Sequence, residues 1–149
     1  MKVALASDHA GYEEKERLKS VLTDLGVEIA DLGTTSEASV DYPDYALKVA
    51  EQVARGEADQ GLLVCASGTG MAISANKVPG VRAAVAWSEE IARLAKQHNN
   101  ANVLAIGART TPPEQIPNIV RTFFTTEFDG GRHTSRVEKI GAIEKRQCQ

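Results

Sequence analysis

The stretch 61-GLLVCASGTG-70 carries an apolar run, Gly61 to Val64, directly into Cys65 and a loop holding Gly68 and Gly70. A short apolar run that stops on small residues reads as a buried strand opening into a loop whose backbone stays accessible. Outward from it the pattern recurs. Apolar runs at Val3 to Ala6, Val27 to Leu32, Val81 to Ala86 and Asn102 to Ile106 alternate with segments of helical period. That alternation specifies βαβ units and a mostly parallel sheet. Leu18, Val21, Leu22 and Leu25 keep the i, i+3, i+4, i+7 spacing of one helix face, and Ala46, Val49, Ala50 and Val53 repeat it. Gly26 and Gly56 end these two helices. A short helix is expected near Met71 to Ala75. Another begins at Ser88, an N-cap followed by Glu89 and Glu90, and ends near His98, with Ile91, Leu94, Ala95 and His98 on an inward face. Pro112, Pro113 and Pro117 delay the next helix, expected from Ile116 to Thr126, and a last helix follows Gly130-Gly131. The expected fold is α/β: one three-layer α/β/α Rossmann-like domain over residues 1–149, with a five-stranded parallel sheet and an extra C-terminal helix.

Composition narrows the function classes. A chain of 149 residues with 42% hydrophobic content supports one domain with a sizeable core. Its net charge of -3 speaks against a general nucleic-acid binder, so any anion site must be local. The apolar run before Asp8 is too short for a leader or a membrane span, and a cytoplasmic protein with no membrane partner is expected. Cys65 and Cys148, at dissimilar sites and without C-x-x-C spacing, suggest reduced thiols and neither a disulfide framework nor a zinc site.

Ligands of open parallel sheets bind beyond the carboxyl ends of the strands, where the winding direction reverses. Two strand ends carry unusual residues, Ser7-Asp8-His9-Ala10-Gly11 and Cys65-Ala66-Ser67-Gly68-Thr69-Gly70. A sheet order beginning 2-1-3 would make them flank one crevice. The second loop offers a nucleophile or base beside backbone N–H groups that favour anions. It is no phosphatase loop, P-loop or dinucleotide fingerprint, because Met71 and Ile73 stand where Arg and Gly would be needed and no Gly-Lys-Ser/Thr follows. The residues alone leave a second reading open: Cys65 as a small buried strand residue and the glycines as turn formers. Asp8 reads equally as a site residue or as a cap for the following helix, and His98 as an inward group or as a cation at a helix C-terminus. Arg132 and Arg136 lie one turn apart at a helix start. Cations there oppose the helix dipole by some tenths of a kcal/mol, roughly, unless an anion sits between them. With Arg109 they make a candidate phosphate clamp; the alternative is a solvated or salt-bridged pair.

Taken together, SDHAGY, VDYPDYA, VCASGTGMAISANK, QHNNANVLAIGAR and GGRHTSRV resemble, in order and over nearly the whole chain, the ribose-5-phosphate isomerase B family, which also contains galactose-6-phosphate and allose-6-phosphate isomerases. The resemblance implies aldose–ketose isomerisation of ribose 5-phosphate and ribulose 5-phosphate through an enediolate, without cofactor or metal. It implies Cys65 as the base, the backbone of Ala66, Ser67, Gly68, Thr69 and Gly70 around the enediolate, and the Ser67 hydroxyl serving a developing oxygen. His98 opens the sugar ring with help from Asp8, and Tyr42 and Asn99 position hydroxyls. His9, Arg109, Arg132 and Arg136 hold the phosphate. Members lacking the cysteine use a glutamate in the loop, whereas Thr69 and Met71 are not acidic here; Ala66 replaces a common glycine. The resemblance further implies a homodimer or tetramer whose active sites take His98, Asn99 and the arginines from a neighbour. Alternatives are an isomerase of a six-carbon sugar phosphate, allose or galactose 6-phosphate, and, in another class, a non-catalytic phosphate- or nucleotide-binding regulator.

Overall fold

The apolar runs form strands β1 (Lys2–Ser7), β2 (Glu28–Asp31), β3 (Gln60–Cys65), β4 (Ala83–Val85) and β5 (Val103–Gly107) in a computed structural model that describes residues 1–148. Between and after them lie helices α1 (Tyr12–Asp24), α2 (Tyr42–Ala54), α3 (Thr69–Ala75), α4 (Glu89–Gln97), α5 (Ile116–Thr125) and α6 (Arg132–Gln147), with a 3₁₀ turn at Pro113–Gln115 before α5. All strands pair in parallel, in the order β2-β1-β3-β5-β4. The order begins 2-1-3 as expected, and its second half places β5 beside the central strand. Burial explains that choice: every residue of β5 is buried, while the three of β4 are only half-buried, so the more apolar strand takes the inner position.

Alternation along the strands separates two cores. Val3, Leu5, Leu62, Val64, Leu104 and Ile106 pack against α1, α4 and α5. Ala4, Ala6, Leu63, Cys65, Val103 and Ala105 pack against α2 and α3. The expected three layers are present, with α6 outside them. That sixteen-residue helix buries only His133 and leaves Ile140 and Ile143 about half exposed. Among the described residues no helix is long and apolar enough to cross a membrane.

The inward face of α4 differs from the expected one. Ser88 caps the helix through a bond from the Ile91 N–H (3.2 Å), but Ala92, Ala95 and Lys96 are buried while Ile91, Leu94 and His98 are half-buried. Lys96 accounts for the rotation. Its ammonium donates to Gln60 Oε1 and lies 4.8 Å from the Phe123 ring centroid, so its stem fills core space. Burial, reinforced by the charge of Arg82, pulls its pKa down to about 8.

An ion pair between a buried lysine and a part-exposed carboxylate ties α1 to β2. Lys15, fully buried, donates to both oxygens of Asp31 at 2.8 and 2.9 Å, and Lys19 approaches the same carboxylate at 2.6 Å. Burial pushes the Asp31 carboxyl up, but bonds from Lys15, Lys19 and the Gly33 N–H outweigh it and leave the group below its ordinary 3.8. Its contribution is therefore complete above that ordinary value and is lost as the pH falls through the lower folded one. Asp31→Asn leaves the buried Lys15 ammonium with only the Glu16 carboxylate, 3.8 Å away, and should cost about 2 kcal/mol at neutral pH. Urea titration of both proteins from pH 7 to pH 2 tests this: the difference should shrink in the acid, and a constant difference would contradict the ion-pair account.

Candidate active site

Cys65 ends the central strand, 5% exposed, and its Sγ receives the Gly68 N–H at 3.1 Å. Local sequence makes that bond possible. Gly68 has φ +81°, a left-handed conformation that a side chain would strain, and it returns the chain over the sulfur into α3. The loop is fastened sideways to the end of β5: the Ala108 N–H donates to the Cys65 carbonyl (2.8 Å) and the Arg109 N–H to that of Ala66 (3.0 Å). The approach requires glycine at 107, where a methyl would lie 2.2 Å from Thr110 Oγ1 and 2.7 Å from the Ser67 carbonyl. Backbone cannot yield as a side chain does. Gly107→Ala should lower kcat/KM by displacing the Ser67 segment, at a stability cost of about 1–3 kcal/mol. Steady-state kinetics beside thermal melts check it; full activity in a folded variant would mean that the contact does not position the loop.

The β1 end lies beside this loop, as the sheet order requires. Asp8 is buried, and its Oδ1 accepts the Gly11 N–H at 3.0 Å just before α1, which is the helix-entry role. His9 Nδ1 accepts the Val40 N–H at 3.1 Å, which in the neutral ring leaves the proton on Nε2. His9, Arg17, Ala108 and Arg109 line a cavity of about 410 Å³. Tyr42 opens α2 with its ring against Gly70, where a methyl would come within 2.4 Å of Cε1. Ser67 and Thr69 are exposed at the loop surface, Ala66 is half-buried, and the Thr69 N–H reaches Ser67 Oγ at 3.4 Å. Asp8, His9, Tyr42, Arg109 and residues 65–70 thus share the carboxyl edge of the sheet.

His98, Asn99, Arg132 and Arg136 do not join them. His98 caps the C-terminus of α4, and β5 begins five residues later at Val103, the partner of Gly61; Cys65 pairs with Gly107 at the strand's far end. Those ends are about 13 Å apart, so His98 sits at the amino edge of its own sheet. Arg132 begins α6 there, since the His133 ring stacks on that of His98 at 4.2 Å and 14°. Burial holds His133 below the usual histidine range, helped by the charges of His98, Arg132 and Arg136, with Asp129 acting the other way. Asn99 lines a cavity of about 710 Å³ between α6 and β4. That cavity holds neither Cys65 nor the glycine loop, and its size does not make it the catalytic site.

Sequence comparison places this geometry. A model of the ribose/galactose isomerase family matches residues 3–140. The chain belongs to that family. Ribose-5-phosphate isomerase B of Escherichia coli is 44% identical to it over 146 residues, covering 98% of each chain. The solved ribose-5-phosphate isomerase B of Clostridium thermocellum superposes with a TM-score of 0.96 at 48% identity, covering 99% of each chain. That of Mycoplasma genitalium, solved with bound ribulose 5-phosphate, gives 0.92 at 40% identity over 97% of this chain and 96% of its own. The structure adds two neighbours of His98 that the sequence does not single out: His133, which stands between the two arginines and stacks on it, and Asp129, whose N–H donates to the Gln97 carbonyl. Neither shows a spacing signal, because the fold assembles them with His98 from separate elements.

Proposed function

We propose that the chain is an aldose–ketose isomerase interconverting ribose 5-phosphate and ribulose 5-phosphate, with Cys65 as the base. The observation that carries the base assignment is the sulfur at the end of the central strand, under a glycine loop whose Gly68 N–H donates to it at 3.1 Å. A sulfur so placed takes the proton from C2 of the open aldose while the electron pair moves toward the C1 carbonyl. The enediolate oxygens meet N–H groups from the 66–70 backbone and the Ser67 hydroxyl, donors placed where negative charge develops. The thiol then returns the proton to C1. The complementary shift of hydroxyl hydrogen between O1 and O2 completes the exchange.

Ring opening and phosphate binding require a second copy. His98 protonates the ring oxygen with Asp8 assisting, Tyr42 and Asn99 hold hydroxyls, and His9, Arg109, Arg132 and Arg136 hold the phosphate. The separation of His98 from the Cys65 loop within one chain supports a site shared between two subunits. So does α6, whose exposed Ile140 and Ile143 offer an apolar face for a partner. A cytoplasmic metabolic role fits this chemistry.

Incubation with ribose 5-phosphate in heavy water tests the reaction: ribulose 5-phosphate and exchange at C2 are expected, and absence of both would remove the assignment. Parallel kcat/KM values for allose and galactose 6-phosphates decide whether a six-carbon sugar is preferred. Phosphate binding without turnover of any sugar would favour a regulator.

A further inference from the structure

Helix α6 has sixteen residues and buries one of them, His133, whose ring lies flat on that of His98 at 4.2 Å between centroids and 14° between planes. Backbone bonds hold the two residues in place. The Asp129 N–H donates to the Gln97 carbonyl at 3.1 Å, which pins the loop before α6 to the residue next to His98, and the His133 N–H donates to the Gly130 carbonyl at 3.0 Å. Among the described residues no side-chain hydrogen bond orients the His98 ring, which is half-buried where α4 ends. The last torsion of a histidine side chain is broad when nothing restricts it. Here the stack restricts it.

A proton reaches or leaves an imidazole in the plane of the ring, along an N–H or lone-pair direction. Contact through the face therefore sets that plane and occupies neither nitrogen of His98. The charges agree with this arrangement. Burial and the charges of His98, Arg132 and Arg136 hold His133 below the usual histidine range, with Asp129 acting the other way, so an uncharged ring faces His98 at neutral pH and does not repel it when it carries a proton.

We propose that His133 is a positioning residue of the isomerase: its packed ring sets the plane of the His98 imidazole, so that the proton for ring opening is aimed at the ring oxygen of the bound sugar. The inference rests on His98 being the ring-opening acid. It concerns a step that only one of the two substrates needs. Ribose 5-phosphate enters as a furanose, whereas ribulose 5-phosphate carries its phosphate on the oxygen that would close a furanose. The ketose is therefore open-chain and gives its C1 proton to the base without His98.

Turnover of ribose 5-phosphate and exchange of the C1 hydrogen of ribulose 5-phosphate in heavy water, measured side by side, test the role. His133→Ala should lower kcat for ribose 5-phosphate by about tenfold or more, with KM and the exchange rate near native. His133→Leu, which fills the space without a flat ring, should lose as much. His133→Phe restores a flat face and should recover most of the loss. A loss acting through Arg132 and Arg136, which flank His133 and are assigned to the phosphate, would instead appear with both substrates and in KM, and would overturn the positioning role. Equal losses in His133→Phe and His133→Ala would overturn it too, as would native kcat in folded His133→Ala and His133→Leu. His98→Asn separates this role from the reading beneath it. If His98→Asn slows ribose turnover and spares ribulose exchange while no His133 variant does, His98 is the acid and His133 is only structural. If His98→Asn spares ribose turnover, the acid lies elsewhere and the positioning role falls with it.

Discussion

Cys65→Ala is expected to abolish sugar-phosphate turnover and hydrogen exchange at C2 together while leaving substrate binding near its native strength. The sulfur is the group at the end of β3 that can take a carbon-bound proton, and it already accepts the Gly68 N–H. Removing a positioned acid–base group lowers kcat by about 10²–10⁴-fold. KM should move little, because His9, Arg109 and the glycine-loop backbone remain in place. A fall confined to kcat identifies an interaction made in the transition state rather than in uniform binding. Cys65→Ser preserves the volume of a side chain that is only 5% exposed, so a parallel loss there separates lost basicity from a packing defect. The rival base is Asp8, buried on the neighbouring strand end. If exchange at C2 survives in both Cys65 variants and disappears in Asp8→Asn, the carboxylate is the base and the thiol is structural.

How far this arrangement could be read from the residues depends on the kind of interaction involved. The strands and helices follow from local period, and period is a local property. Gly26, Gly56 and Ser88 mark boundaries that the fold keeps, because caps and positive φ are local too. The position of β5 between β3 and β4 is not local; it follows from total burial of Val103–Gly107, which emerges only when both faces are covered. Lys96 shows the limit most clearly. A lysine at that position predicts a solvated face, yet its stem packs in the core because Gln60 and Phe123 receive its ammonium. The Cys65 loop was legible since glycines and a cysteine at a strand end restrict what the loop can do. Gly107 was not, because its need for no side chain comes from Ser67 and Thr110 packed against it. The stacking of His133 on His98 depends on two elements separated by β5 and α5, and no spacing announces it.

The division between the two sheet edges gives the second large effect. Cys65→Ala and His98→Asn should each be nearly inactive alone, yet a mixture allowed to exchange subunits should recover about a quarter of native activity. The value follows from counting. Half of the randomly formed dimers pair one variant with the other, and each such dimer holds one site with both groups intact and one with neither. A site built within a single chain predicts no recovery, because neither polypeptide carries both groups. The geometry requires this distinction: β5 alone separates its His98-proximal end from the Cys65 level by about 13 Å, more than a side chain can span to a sugar. Dilution supplies an independent reading of the same arrangement. If a partner completes each site, specific activity must fall once the protein concentration drops below the dimer dissociation constant, and substrate must restore it by binding the assembled form. Activity that is independent of concentration down to complete dissociation, together with a mixture that stays inactive, would place ring opening on a residue of the same chain as Cys65. Asp8 is then the candidate, as the buried acid nearest that loop in the sheet order.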